Sequence, residues 1–189
     1  GATSEGGNVF AWCREVLPLG ADDEIEAALA TLAPDAHGLT VLPHLAGERS
    51  PGWRGGRHGV ISGLRLDTSA VAITRAALEA VALRLAMVYG LLASCASAEH
   101  TVVASGGALA RPGTWSQILP DALAPPVTRS AEPEATSRGA ALLALEALGI
   151  LPDLAAARQT LGETFTPDRA HHARFRDAIE RQRRFDERV

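Results

Sequence analysis

The sequence predicts an α/β domain whose mixed, partly parallel sheet is flanked by helices, and three observations carry that reading. Short β-branched runs alternate with longer stretches of helical apolar spacing, the pattern of strands that return through helices. The changeovers fall on glycine, proline or a capping residue. The longest helical stretch is apolar over most of its circumference, as a helix packed from several sides must be. At 189 residues the chain is long enough to bury a core as one domain.

Val9, Trp12, Cys13 and Val16 share one face of a first short helix, ended by Pro18 and Gly20. Asp22 and Asp23 open a second helix, where their charge suits the positive end of the helix dipole; it carries Ile25, Leu29 and Leu32 and closes at Pro34. Leu39-Thr-Val-Leu-Pro reads as a short strand. It runs into a loop over 46–59 that holds five glycines, and an irregular segment of that length in a compact domain is usually functional. Val60-Ile-Ser-Gly-Leu-Arg-Leu is the next strand, after which Asp67, Thr68 or Ser69 caps the longest helix. Its stripe is Ile73, Ala77, Val81, Leu85, Val88 and Leu92, widened by Leu78 and Ala82, which makes it the central helix. A strand over 101–104 ends on Gly106-Gly107 and leads to a helix bearing Trp115, Ile118 and Leu119, which Pro120 is expected to kink or end. Pro126-Val-Thr is a further strand, and 134–148 is an alanine-rich helix closed by Gly149. The tail over 167–189 reads as one charged helix, with Phe175, Ile179 and Gln182 inward and mixed-sign charges outward as a solvated face.

Composition excludes several classes of function. Acids outnumber bases, 22 to 18, for a formal charge of −4, so the basic footprint of a nucleic-acid binder is absent. No apolar run is expected to reach the roughly 18 residues of a membrane span and no signal pattern opens the chain, so a cytoplasmic protein is expected. Cys13 and Cys95 stand far apart without a CxxC and read as buried free thiols. The six histidines offer no HxxxH or HExxH spacing, so no metal site is expected. Ser105 lies on a strand-to-helix turn, but Val103 stands where a nucleophile elbow needs its first glycine. The bare backbone of Gly106-Gly107 serves either a tight turn or a ligand that touches the main chain, as phosphate or ribose does at such corners.

Longer words in the sequence carry a resemblance. Leu42-Pro-His-Leu-Ala-Gly-Glu-Arg-Ser-Pro-Gly-Trp, then Gly59-Val-Ile-Ser-Gly-Leu, then Ile73-Thr-Arg-Ala-Ala-Leu-Glu-Ala-Val resemble the C-terminal half of the FGGY family of carbohydrate kinases. Gly59, Ile61, Gly63 and Leu64 match the first part of the family's second signature, and Ile73, Ala76, Ala77, Leu78 and Glu79 match its close, with Ala72 where a polar residue is expected. Ala104-Ser-Gly-Gly-Ala with Trp115-Ser-Gln-Ile-Leu-Pro-Asp resembles the family's adenosine motif, apart from Arg111, Pro112 and Pro120. Glu134-Ala-Thr-Ser-Arg-Gly-Ala-Ala resembles its closing helix. The resemblance runs from residue 1 to about 149.

The resemblance implies an actin-like ATPase, ribonuclease H-like domain, the C-terminal lobe of a two-lobed sugar kinase. Residues 1–189 are then the ATP-side domain, and the sugar-binding N-terminal domain with its D-x-G-T phosphate loop and catalytic aspartate falls outside the chain. The substrates implied are ATP with Mg2+ and a sugar or sugar acid. Glu48-Arg-Ser-Pro-Gly-Trp favours gluconate over the xylulose of a sister subfamily. Gly106, Gly107 and Ala108 are expected against the nucleotide, with Gln117 and Asp121 flanking adenine. Glu48, Arg49 and Trp53 are expected on a loop bordering the inter-lobe cleft, the alternative being a plain structural loop with Glu48 and Arg49 as a surface ion pair. The chain alone is expected to be inactive, a homodimer is an open option, and a non-catalytic nucleotide-binding or assembly module is the competing class of function.

Overall fold

The protein is described by a computed structural model covering residues 3–97, 99–106 and 113–189. Two helices, α1 (Gly7–Val16) and α2 (Asp22–Thr31), precede a hairpin-like ladder of β1 (Thr40–Leu42) and β2 (Val60–Ser62). The long helix α3 (Ala70–Ala93) leads to β3 (Val102–Ala104), α4 (Thr114–Leu123), β4 (Val127–Ser130) and α5 (Ala135–Ala147). The 3-10 turn Leu154–Ala156, β5 (Leu161–Phe165) and α6 (Arg169–Asp186) follow.

The strands form two sheets. β1 pairs antiparallel with β2, Val41 opposite Ile61. In the other, the order is β3-β4-β5, with β3 parallel and β5 antiparallel to the central β4, so the expected mixed sheet is present. β5 was outside the sequence expectation. Its first four residues are exposed, so no apolar alternation marks it, and it is held by the backbone ladder and by the Thr128–Thr164 hydroxyl pair at 2.9 Å.

The central helix is α3, as its apolar circumference predicts. Leu78, Ala82 and Leu83 pack with Ile25 and Leu29 of α2, Ile118 and Leu119 of α4 and Phe175 of α6. Ala77 and Val81 meet Val9 and Cys13 of α1, while Ala76 and Ala80 meet Leu39 and Val41 at β1. The alanines keep three neighbours within reach of one helix. By length and composition α3 could also cross a membrane, which corrects the expectation that no stretch is long and apolar enough. Its charged residues Arg75, Glu79 and Arg84 are buried against the rest of the protein, and it contacts α1, α2, α4, α6 and β1.

Several local expectations need adjustment. Ser69 is the cap of α3, its side chain accepting from Ala72 N at 3.1 Å. Pro120 does not end its helix: α4 runs on to Leu123 and stops at Ala124, whose φ is +84°. Of the two thiols, Cys13 is buried but Cys95 is exposed, because the α3 C-terminus that precedes it projects from the core. α5 forms where expected yet buries none of its residues, leaving Leu143 and Leu148 exposed.

Candidate functional site

The first candidate region follows β3. Gly106 turns the chain at φ +125°, a conformation that L side chains rarely adopt, and a Cβ there would meet nothing within 4 Å among the described residues. The corner is therefore glycine for backbone reasons. Gly107 and Ala108 lie outside the described residues. α4 then starts against α2: the Glu26 carboxylate accepts from the Thr114 backbone N–H and hydroxyl. An acid thus already occupies that positive helix end.

Gln117 and Asp121 lie one turn apart on α4 and border an open cleft of about 570 Å³ with Glu26, Arg75, Thr114 and His171. Asp121 is buried and fully engaged. One carboxylate oxygen accepts from Gln117 Nε2 and from the Asp168 backbone N–H, both at 2.8 Å, and the other meets His171 Nδ1 at 2.9 Å. Its carbonyl meets His172 Nδ1 at 2.9 Å. Asp121 thus ties α4 to the start of α6 and orients Gln117, whose amide also donates to the Thr166 carbonyl at 2.8 Å.

The second candidate region is the loop over 46–59. Gly47 sits at φ +81°, and any Cβ on it would collide with the Gly55 carbonyl, so the loop closes on itself through glycine. Glu48 and Arg49 are not a surface ion pair. Glu48 is only 4% exposed and is bound by Arg54 of the same loop and by Arg84 of α3, while Arg49 is exposed. The reason is geometric: Arg84 emerges from the buried side of α3 directly under the loop, where Glu48 and the Ser50 carbonyl meet it, while Arg49 faces outward. Arg84 and Arg54 also reach Asp186 of α6, at 3.3 and 2.5 Å, and Arg57 donates to the Asp186 carbonyl at 2.9 Å. Burial pushes the Glu48 pKa up, but the hydrogen bond from Arg54 and the charges of Arg84 and Arg54 outweigh it and hold the carboxyl below its ordinary value. His44, beneath the loop, is held neutral: burial first and Arg84 second lower its pKa against the opposing pull of Asp186, Glu48 and Glu5. Trp53 is 66% exposed at a positive φ of 54° and borders an open cleft of about 510 Å³ with Thr3, Arg49 and Gly55.

The structure holds Gln117 and Asp121 apart from the loop, at opposite ends of one helix. Asp168 and His171, at one end of α6, hold Gln117 and Asp121; Asp186, at the other end, holds the loop. The 18 residues of α6 separate them by roughly 27 Å at 1.5 Å per residue.

Sequence reasoning missed Arg84, Asp186 and the role of Glu79. Glu79 accepts from the Asp35 backbone N–H at 3.0 Å and from Arg75 Nε at 2.5 Å, and meets His37 Nε2 at 3.1 Å, so this acid fixes the turn between α2 and β1. Two groups, Asp35 with His37 and Glu79, and His44 with Glu48 and Asp186, have the donor types of metal ligands. Their carboxylates are spent on guanidiniums, however, and both sets act as ion-pair networks. The available signal was three charges, Arg75, Glu79 and Arg84, inside an otherwise apolar helix.

The family model of the C-terminal domain of the FGGY carbohydrate kinases matches residues 1–148. The chain belongs to this family. A glycerol kinase of Alkalilimnicola ehrlichii is 38% identical over 146 residues, covering 76% of this chain and 29% of that protein. A gluconokinase of Bacillus subtilis is 31% identical over 179 residues, covering 87% of the chain and 34% of that protein. A gluconate kinase from Lactobacillus acidophilus shares the fold, with a TM-score of 0.81 over 98% of this chain and 38% of that one, at 24% identity. The chain spans about a third of the length of the curated relatives it matches. The FGGY domain here has the mixed sheet and flanking helices of the actin-like, ribonuclease H-like fold. Within it, Gly63 of the family signature sits at φ +92°, where a Cβ would lie 2.6 Å from the Gly38 carbonyl, and Glu79 braces the neighbouring turn.

Proposed function

We propose that this FGGY chain is the ATP-side domain of a cytoplasmic kinase that transfers the γ-phosphoryl group of ATP to a hydroxyl of gluconate. The observation that carries the substrate is Glu48-Arg-Ser-Pro-Gly-Trp, together with a gluconokinase relative that aligns over 87% of the chain. A second reading has its own support: glycerol is the named substrate of the relative at 38% identity.

In the proposed site the main chain of Gly106, Gly107 and Ala108 meets the nucleotide, Gln117 flanks the adenine, and Asp121 fixes the Gln117 amide. The loop with Glu48, Arg49 and Trp53 borders the cleft between the lobes, where closure excludes water and aligns the reacting oxygens. Its support is an exposed tryptophan on a loop that a buried ion network holds. Mg2+ would arrive with the nucleotide, held mainly by phosphate oxygens and one or two carboxylates. The engaged acids of this chain do not fit that role, and the base that takes the acceptor proton belongs to the remainder of the full-length protein. The test is an ATP-coupled assay of the full-length kinase with gluconate, xylulose and glycerol. Preference for gluconate in kcat/KM supports the reading, preference for either of the others replaces the substrate, and no turnover with any polyol or sugar acid favours a non-catalytic module.

A further inference from the structure

The loop over 46–59 contributes no side chain to the three apolar clusters of the described residues, so hydrophobic packing does not set its position. Its internal backbone hydrogen bonds, Glu48 N to Arg54 O at 3.2 Å and Arg57 N to Arg54 O at 3.0 Å, close the loop on itself, and its backbone reaches outward at Ala46 N, which donates to the Glu5 carboxylate at 3.1 Å, and at the Ser50 carbonyl, which accepts from Arg84 at 3.5 Å. What attaches it is charge, and the charges meet on one residue in the last turn of α6. Asp186 is 6% exposed; its Oδ2 accepts from Arg54 at 2.5 Å and Arg84 at 3.3 Å, its carbonyl accepts from Arg57 at 2.9 Å, and its Oδ1 faces His44 Nε2 at 3.6 Å. Arg84 passes the restraint on to Glu48.

We propose that Asp186 is the positioning residue of the 46–59 loop: by gathering Arg54 and Arg57 of the loop and Arg84 of α3, it fixes the inward side and leaves Arg49 and Trp53 displayed. Asp186 lies beyond residues 1–148, so the family match assigns it nothing. Without its charge, Arg54 and Arg84 would be left to the single carboxylate of Glu48, and the Arg57 bond to the Asp186 carbonyl would remain as a weaker tie between the loop and α6. The consequence for turnover rests on the reading that the loop borders the cleft; the consequence for loop order does not.

The test uses the full-length kinase with Asp186→Asn, which keeps the shape and removes the charge, Asp186→Glu, which restores the charge, and Arg57→Ala as a milder variant. Tryptic cleavage after Arg49, Arg54 and Arg57 is followed by peptide mapping, beside kcat and KM. Asp186→Asn should speed cleavage within the loop by about tenfold and lower kcat on the order of tenfold to a hundredfold, the cost of a misplaced cleft wall. The KM for ATP should stay within about twofold because Gln117 and Asp121, which in the proposed site serve the adenine, lie at the other end of α6. Asp186→Glu should recover most of both effects, and Arg57→Ala should shift cleavage the same way by severalfold. Wild-type cleavage rates in Asp186→Asn and Arg57→Ala, or equal damage from Asn and Glu, would overturn the proposal. Faster cleavage with unchanged kcat, in an enzyme that also tolerates Arg49→Ala with Trp53→Ala, would leave Asp186 as the loop's tether and refute the cleft reading instead.

Discussion

Replacing Arg84 by methionine tests whether the ion network beneath the loop is held by charge. Arg84 is 6% exposed, and its removal strips a partner from Glu48 and Asp186, which are 4% and 6% exposed. Removing one member of a buried pair costs about 3–5 kcal/mol, because the remaining charge is left uncompensated. Arg54 stays beside both carboxylates, so the lower part of that range is expected. For a chain of this size each kcal/mol lowers Tm by roughly 2–4 °C, which makes the expected fall on the order of 6–12 °C. Thermal denaturation of the 189-residue chain at pH 7, followed by circular dichroism, measures it. The pH dependence adds a second reading. Glu48 has a folded pKa below its unfolded one, so its contribution is present above the ordinary value of 4.5 and is lost as pH falls through the folded value. Without Arg84 burial acts with less opposition, and the loss should begin at higher pH. Adding Glu48→Gln to Arg84→Met should then restore about 1 kcal/mol or more, since the stranded charge is gone. A Tm within about 2 °C of the parent, or a double variant less stable than Arg84→Met alone, would refute the reasoning.

Other outcomes follow from the same geometry. His44 is held neutral in the fold by burial and Arg84, so the unfolded chain binds its proton first: stability should decline as pH falls below the ordinary 6.5, and His44→Gln should flatten that decline in urea titrations between about pH 5 and 7. Gly106→Val forces a branched side chain to φ +125°; in the full-length kinase it should raise the KM for ATP about tenfold and leave sugar binding unchanged, as isothermal titration with the sugar can check. The isolated chain should show no ATP-dependent phosphorylation of gluconate, xylulose or glycerol in a coupled assay, because the aspartate that would activate the acceptor hydroxyl is expected in the remainder of the full-length protein.

Much of the fold was legible because periodicity is a local property. The stripe of α3 and the acidic start of α2 were readable within a few residues of themselves. β5 was not, because Leu161, Gly162, Glu163 and Thr164 are exposed and pair through backbone atoms that every residue possesses. Nor was the fate of Pro120, since tertiary packing of Ile118, Leu119 and Ala122 carries α4 past it. At the candidate site the glycine corner announced itself through residue type, whereas Glu48–Arg84 and Arg84–Asp186 join residues 36 and 102 positions apart. Charges that far apart carry no mark of their pairing. What the sequence did expose was the anomaly of Arg75, Glu79 and Arg84 within an apolar helix, which requires partners without naming them.

The last helix shows why pattern alone misassigns such residues. A run of mixed charge reads as a solvated face, and part of α6 is one: Arg183 pairs with Glu180 at 3.0 Å and Glu187 at 2.8 Å in water, where such pairs contribute little. Yet the same helix begins with Asp168, which caps it and donates its backbone N–H to Asp121, and ends with Asp186 under three guanidiniums. Asp177 and Asp186 are chemically the same; only Asp186 shares the inward face with Phe175, Ala178 and Gln182. Spacing from Phe175 through Ala178 and Gln182 to Asp186, steps of three and four residues, puts an acid at the end of an apolar stripe. An acid in that register must find a cation or lose its charge. The loop's Arg54 and Arg57 supply it, and the helix read as surface thereby becomes the element that spans both candidate regions.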